Sequence, residues 1–308
     1  NAVYGDYANP NELGSGGGSD SGEGGNGGGL VRITADLLVL EGQILANGGN
    51  GAYWGGGGSG GGIKLQVNTL SGTGAMRANG GNGGGGAGGG GGGRIAVYYA
   101  TASDFDFSRV LVEGGGDGGV GTVLLQQGDS TPVVVVRSAG RESPLPALHG
   151  EHLVLDGAVV SATNVAVSSL WLTNGAVLTH PGAGLDAEFA LRIAVDGALV
   201  VSTNSRIDVS GRGYLGGRVS GNGDVGRTLG NTAVGGSARR SGGSYGGLGA
   251  SGSGDPVVNA VYGDYANPNE LGSGGGSDSN GGGNGGGLVR ITADLLALEG
   301  QILANGGN

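Results

Sequence analysis

The sequence predicts an all-β chain, a parallel β-helix whose stacked rungs carry glycine-rich lateral loops. Three observations lead there. Residues 1–50 return at 259–308 with an offset of 258, and the two copies differ only at Gly22/Asn280, Glu23/Gly281 and Val39/Ala297. Inside that long repeat runs a shorter one of 32 residues. It places Val31-Arg32-Ile33 on Ile63-Lys64-Leu65 and then on Ile95-Ala96-Val97, and Ala46-Asn47-Gly48-Gly49 on Ala78-Asn79-Gly80-Gly81. Finally, the apolar residues sit in short clusters of period two, separated by glycine runs. A fixed period of this size marks a solenoid, in which a rung buries its apolar face only against its neighbours.

Composition narrows the class further. Glycine supplies 81 of 308 residues and proline 7, proportions that alone point to low complexity. Against that, the net charge is a modest −10 and hydrophobic residues reach 37%, enough for a core. No strict Gly-X-Y period appears, so collagen is excluded. Cysteine is absent, so neither disulfides nor thiolate metal sites hold the fold. In a large secreted protein this fits a bacterial or archaeal surface protein stabilised by stacking. The acidic balance, with Lys64 the single lysine among 15 basic residues, argues against nucleic acid as a partner. No apolar run reaches the roughly 18 residues needed for a membrane span.

Residues 1–29 read as the tail of a glycine-rich insertion: a polar, aromatic lead (Tyr4, Asp6, Tyr7, Asn9, Pro10), then a run almost free of side chains. Residues 30–121 are glycine-rich β-solenoid rungs. There Ile63, Leu65 and Val67 alternate with Lys64 and Gln66, which sends one set inward and the other to solvent. The Asn-Gly and Gly-Gly pairs after the strands suit positive φ at corners. The excursions Asn50–Gly62 and Gly80–Gly93 have two readings: mobile surface loops, or polyglycine-II-like strands lying side by side. Strands without Cβ atoms approach closely and share backbone and Cα–H···O hydrogen bonds. Ordering them costs roughly 1–2 kcal/mol per residue, so it requires neighbours, and the recurrence of similar loops favours it.

Residues 122–210 change texture and read as compact β-helix rungs, a plain parallel β-helix continuing the same stack. Strands are expected at Val123–Leu125, Val133–Val136, Leu153–Leu155, Val165–Val167, Leu170–Leu172 and Leu191–Val195. Corners are expected at Gly157-Ala158-Val159, Gly175-Ala176-Val177 and Gly197-Ala198-Leu199. Residues 211–287 are a long glycine-rich lateral insertion, and 288–308 the first rung of the next 258-residue repeat. On this reading the chain is a window on a longer tandem array.

Three phrases carry a family likeness: Ser71–Gly81 (Ser-Gly-Thr-Gly-Ala-Met-Arg-Ala-Asn-Gly-Gly), Gly92–Tyr99 (Gly-Gly-Arg-Ile-Ala-Val-Tyr-Tyr), and Gly242–Gly249 (Gly-Gly-Ser-Tyr-Gly-Gly-Leu-Gly) leading into Val261–Tyr265. They resemble the glycine-rich, pectate-lyase-like β-helix repeats of very large bacterial surface and extracellular proteins. The resemblance implies a right-handed parallel β-helix in an extended, cell-surface or fibre-forming chain. It implies no activity, because a fold does not fix a function.

Candidate chemistry is sparse. β-helical polysaccharide lyases and hydrolases use clustered carboxylates, often with an Arg or Lys base. The nearest approach is Asp104 and Asp106 with Arg109, but alternation with Phe105 and Phe107 reads better as a strand with the rings inward and the carboxylates outward, or the reverse at a bend. His149, His152 and His180 are expected to be exposed loop histidines. The His-x-x-His spacing of the first two is spoiled for a helical zinc site by Gly150, Pro144 and Pro146. Gly-x-Gly-x-x-Gly matches arise by chance at this glycine content and none opens a helix. Asp20, Glu23, Asp117 and Asp224 lie in glycine-rich loops where carbonyls could complete a Ca2+ shell, but none fits the repeated Gly-Gly-x-Gly-x-Asp nonapeptide, which favours a solvated acidic surface. Tyr4, Tyr7, Tyr53, Trp54, Tyr214 and Tyr245 stand in or beside glycine-rich stretches, as anchors of the glycine layer or as contact points. Arg239 and Arg240 read as solvated or carbonyl-capping.

The functional expectation is a structural extracellular fibre or stalk of tandem 258-residue repeats, with copies of itself as partners and no catalytic or cofactor site. An adhesin binding glycans or surfaces through its aromatic loops is the alternative, and a β-helix polysaccharide-degrading enzyme a further one.

Overall fold

A computed structural model describes residues 4–137, 141–252 and 257–308. The chain is nearly all β, and its sheets are built mainly from parallel strands. β1 (Leu30–Val39), β2 (Gln43–Leu45), β3 (Gly62–Ser71), β4 (Ala75–Arg77), β5 (Arg94–Ser103) and β6 (Val110–Leu111) alternate long and short. The long strands pair in parallel, Ile33 opposite Leu65 and Leu65 opposite Val97, so the register step equals the 32-residue period. The short strands form their own parallel sheet, with Ile44 opposite Met76. Ile63, Leu65, Ile95 and Val97 are fully buried and share one cluster with Met76 and Val110.

Side chains repeat the same step on the outside. Asn68 donates to Asp36 at 2.9 Å and Thr73 to Glu41 at 2.9 Å, while the Asn79 amide N–H donates to the Asn47 side chain at 2.8 Å. Each pair stands 32 residues apart. Polar residues at matched positions thus make ladders as the apolar ones do.

At β7 (Thr122–Gln127), which adds to β5 in parallel, the pattern breaks. The chain turns through Gly128 and returns as β8 (Val133–Arg137), antiparallel to β7. After it come β9 (Ser143–Pro144), β10 (His152–Asp156), β11 (Val159–Ser161), β12 (Asn164–Val167), β13 (Ser169–Thr173), β14 (Val177–Thr179), β15 (Leu191–Val201), β16 (Arg206–Asp208), β17 (Val289–Leu298) and β18 (Gln301–Leu303). From β8 onward the named strands pair in parallel again: β8-β10-β13-β15-β17 extends the large sheet, and β9-β11-β14-β16-β18 forms another. The expectation that residues 122–210 simply continue the first stack is therefore corrected. The later strands run against the earlier ones.

The buried faces switch with the direction. Ile95, Val97, Val123 and Val135 belong to the cluster of the first strands, whereas Ala96, Leu124, Val134 and Val136 belong to the cluster of the later ones. The middle of the large sheet is therefore covered on both sides. This explains the unbroken Val133–Val136 run, since strands buried on both faces lose the alternation of half-exposed ones.

The glycine excursions are ordered, and their bonding has a period of three. Along residues 55–62, the amides of Gly55, Gly58 and Gly61 donate to Ala52, Gly49 and Ala46. Those of Gly56, Ser59 and Gly62 donate to Gly18, Ser15 and Gly29, and those of Gly57 and Gly60 to Gly88 and Gly91. Consecutive residues thus bond three different neighbours, as a backbone with three residues per turn allows. The strands lie so close that a Cβ at Gly57 would overlap the Gly81 carbonyl, and one at Gly48 the Gly58 carbonyl. Neither Gly48 nor Gly49 has positive φ, so the Asn-Gly-Gly corners need glycine for proximity and not for a left-handed turn. Gly157 and Gly175 do turn with positive φ, whereas Gly197 lies within β15 at a register shift between Val195 and Ala198.

This contact makes a direct prediction. Gly57→Ala should lower unfolding free energy by about 1–3 kcal/mol, the usual cost of overpacking. Gly246→Ala, where a Cβ would meet nothing within 4 Å, should stay within about 0.5 kcal/mol of the parent. Urea denaturation of both variants measures the difference.

Candidate functional site

The aromatic lead of the chain folds across the outer face of the first strands. Asn9 accepts from Arg32 at 3.1 Å and from Lys64 at 2.7 Å, the Ala8 carbonyl accepts from the Tyr98 hydroxyl at 2.6 Å, and the Tyr4 carbonyl accepts from Arg94. The Lys64 ammonium sits 5.3 Å from the centre of the Tyr98 ring. Tyr7 is buried at the end of this path and donates to the Glu151 carboxylate, which also accepts from the His149 amide. Burial and the adjacent Glu151 push the Tyr7 phenol well above its ordinary pKa. The hydroxyl stays protonated and serves as a fixed donor.

The same residues occur a second time in different surroundings. Within each copy the local bonds agree. Tyr4 donates to the Leu13 carbonyl at 2.8 Å and Tyr262 to that of Leu271 at 2.6 Å; Asp6 accepts from Ala8 and Asp264 from Ala266, both at 2.8 Å. The outer contacts differ. Leu13 is 65% exposed but Leu271 is 3%, because residues of the insertion cover the second copy. Tyr7 is 9% exposed but Tyr265 is 99%.

The cover on the second copy has identifiable parts. Tyr214, Ala183 and Leu271 form a small buried cluster, and Tyr245 stands edge-on to Tyr262 at 5.1 Å. Gly213 and Tyr214 donate to Gly285 and Gly272, so two consecutive amides serve two different glycine strands. Asn284 accepts from the Gly216 amide at 2.8 Å. Behind them Asn259, buried, accepts from the Ser244 amide at 2.7 Å and the Ser237 hydroxyl at 2.9 Å, and donates to Thr228 at 3.1 Å. Tyr214 is thus packed inside this cover, and Tyr245 against Tyr262.

Tyr53 and Trp54 are different. They stand edge to face at 5.7 Å at the tip of a glycine hairpin and remain substantially exposed. The Trp54 ring leans over Gly85 and Gly86 at the next tip. It thus covers glycine backbone on one side and faces solvent on the other.

Of the catalytic candidates, Asp106 and Arg109 meet as an exposed ion pair at 3.8 Å. Asp106 caps a short 3-10 turn, Phe107–Arg109, accepting from the Ser108 amide at 2.9 Å, and Asp104 sits at φ 59°. Of the two expected forms the segment takes the bend, but with Phe105 and Phe107 turned onto the core, edge-on to each other at 5.2 Å. Among the described residues, no group of three or more His, Asp or Glu side chains converges as a metal site would require. Of the calcium candidates, Asp117 accepts from the Gly89 amide at 3.0 Å and Asp224 pairs with Arg218 at 2.7 Å, while Asp20 and Glu23 lie exposed. Arg240 pairs with Asp278. A groove of about 510 Å³ runs between the Tyr4–Gly18 segment and the glycine strands, with Arg94, Glu12 and Glu142 as its charged groups. No helix among the described residues is long and apolar enough to cross a membrane.

The histidines correct one expectation. His152 bonds Ser169 at 2.8 Å from within β10, and His180 is wholly buried. The Pro181 carbonyl, 2.8 Å from His180 Nδ1, can only accept, so Nδ1 carries the proton and Nε2 accepts from the Leu288 amide at 3.3 Å. His180 thus fixes the start of β17 at the junction between the two copies. Its isolated position among apolar residues in sequence gave no sign of this. Glu151 and Asn259 were likewise invisible as partners, since each acts across the fold.

Searches against protein-family models, characterised proteins and solved structures return no match.

Burial lowers the His180 pKa, and protonation would set an N–H against the Leu288 N–H. The stability it contributes is complete above the ordinary imidazole value of about 6.5 and is lost as pH falls below it. Unfolding free energy measured at pH 7.5 and 5.5 should fall with acidification, and the fall should be smaller in His180→Asn.

Proposed function

We propose that the chain is a segment of a structural extracellular fibre or stalk, built from tandem 258-residue repeats as a right-handed parallel β-helix with polyglycine-II-like lateral strands. The observation that carries this reading is the complementary burial of the two copies. What the first copy leaves bare (Tyr4, Leu13) the insertion covers in the second, and what the second leaves bare (Tyr265) β10's neighbourhood covers in the first. In a tandem chain each copy would have both coverings at once. Interior repeats then need no capping structure, because each supplies the edge partner of the next.

The strand reversal fits a single hand of coiling. Reversing strand direction alone would invert the hand, and moving the core to the other face inverts it again. The two changes occur together at β7 and β8, which is compatible with one sense throughout, and the strong preference of parallel crossovers for the right hand supports that sense. The function is mechanical: tension along the stack is shared among many parallel main-chain hydrogen bonds, and no catalytic group is required.

A second reading, an adhesin, rests on the exposed Tyr53–Trp54 pair, whose faces suit stacking on a sugar ring. A glycan array probed with the chain and with Trp54→Ala tests it: binding lost in the variant supports adhesion, and equal absence of binding in both removes it. For the fibre, immunoelectron microscopy of the source cells with antibody to this chain should label extracellular filaments. Labelling confined to the cell interior would overturn the fibre.

A further inference from the structure

We propose that the surface left open by residues 259–308 is a docking site for residues 51–151 of a second copy of this chain, and that the docked copy is turned by about half a turn about the stacking axis. The proposal rests on the fibre reading only in taking copies to meet end to end. The half-turn follows from strand direction and buried face.

The occupant is identified by sequence. β17 and β1 carry the same residues apart from Val39/Ala297, as do the leads before them. β1 pairs with β3 through nine registered positions, from Leu30 opposite Gly62 to Val39 opposite Ser71. Among the described residues β17 pairs with β15 alone, and its other edge is open. Four groups that engage residues 51–151 in the first copy recur, exposed, in the second. Tyr265 is placed for Glu151, Asp294 for Asn68, Glu299 for Thr73 and Asn267 for Lys64, matching Tyr7, Asp36, Glu41 and Asn9. A second chain offers its 51–151 surface when its own first copy is exchanged for this one, the usual route by which identical elements swap between protomers.

The orientation is fixed as follows. β1 to β7 run one way and β8 to β17 the other, so β17 is antiparallel to β1. β1 turns Val31, Ile33 and Ala35 toward one core, whereas β17 turns Val289, Ile291 and Ala293 toward the other, on the opposite face of the shared sheet. A strand reversed in direction and in face is a strand rotated by half a turn about the stacking axis. From β1 through β3, β5, β7, β8, β10, β13 and β15 to β17 there are eight pairing steps. At about 4.8 Å per step the rise is roughly 38 Å. The two apolar cores then alternate sides along the assembly, and so do the glycine layers they carry.

The chain has no cysteine, which makes the contact testable on these 308 residues as they stand. Asp294→Cys chains are mixed with Asn68→Cys chains and treated with a short thiol crosslinker. Both positions are exposed, so neither substitution disturbs a core. Crosslinked heterodimer several-fold above that from Val234→Cys mixed with Asn68→Cys is expected; yield equal to this control overturns the docking. Independently, the unsubstituted chain should sediment as head-to-tail oligomers at high concentration, and cryo-electron microscopy of them should show neighbouring copies related by 180° with a rise near 38 Å. A chain that stays monomeric throughout, or copies in the same orientation, would also overturn it. Filaments formed in the tube but absent from cells would sink the fibre reading and leave the docking intact.

Discussion

Main-chain hydrogen bonding from one level to the next is the constraint on which the molecule depends, and it persists where side chains vanish. In the strands it takes the ordinary in-register form, with Leu65 between Ile33 and Val97. In the glycine strands it takes a three-way form, with Gly58, Ser59 and Gly60 each bonding a different neighbour at 2.9 Å. The two forms are continuous, because Ala46 and Gly61 close the hairpin at the edge of the apolar core. Fixing a glycine is entropically expensive. A glycine strand becomes ordered when bonded neighbours surround it, and those neighbours exist only because the 32-residue step brings the next hairpin alongside. The apolar ladders set the step, and the glycine layer follows it.

Much of this was legible in the sequence. The 32-residue step, the strands from Val31 to Val195 and the Ile44–Met76 pairing all follow from periodicity, since identical residues at a fixed spacing stack on one another. The reversal at β7 and β8 was hidden. Its only trace is the run of four valines, which fits a strand buried on both faces, but a short apolar run does not say which way the next strand points. The Asn-Gly-Gly corners were misread for a related reason. Glycine serves positive φ and close approach equally well, and only the position of the Gly58 carbonyl against Gly48 tells which applies.

The site residues divide along the same line. Tyr214 and Tyr245 are recognisable in sequence as aromatics in bare surroundings, yet the residues they pack on, Leu271 and Tyr262, come from the far side of the insertion. His180 reads from sequence as an exposed loop histidine and Glu151 has no role there, because sequence shows a titratable group without showing the N–H or O–H it accepts from. A carboxylate or imidazole buried with a single well-placed donor holds a junction as effectively as an apolar contact, and more selectively, since its bond has direction.

Two identical segments in one chain form a natural experiment on context. Tyr7 and Tyr265 share their neighbours in sequence and their local turn, so intrinsic propensity cannot explain why one is buried and the other bare. The difference is what lies beyond, and Glu151 lies beyond only the first. A phenol whose burial requires a carboxylate from a level five steps away reports the completeness of the stack itself. The open end is therefore defined by a specific set of unmet contacts, and those contacts are the ones the chain already makes once within itself.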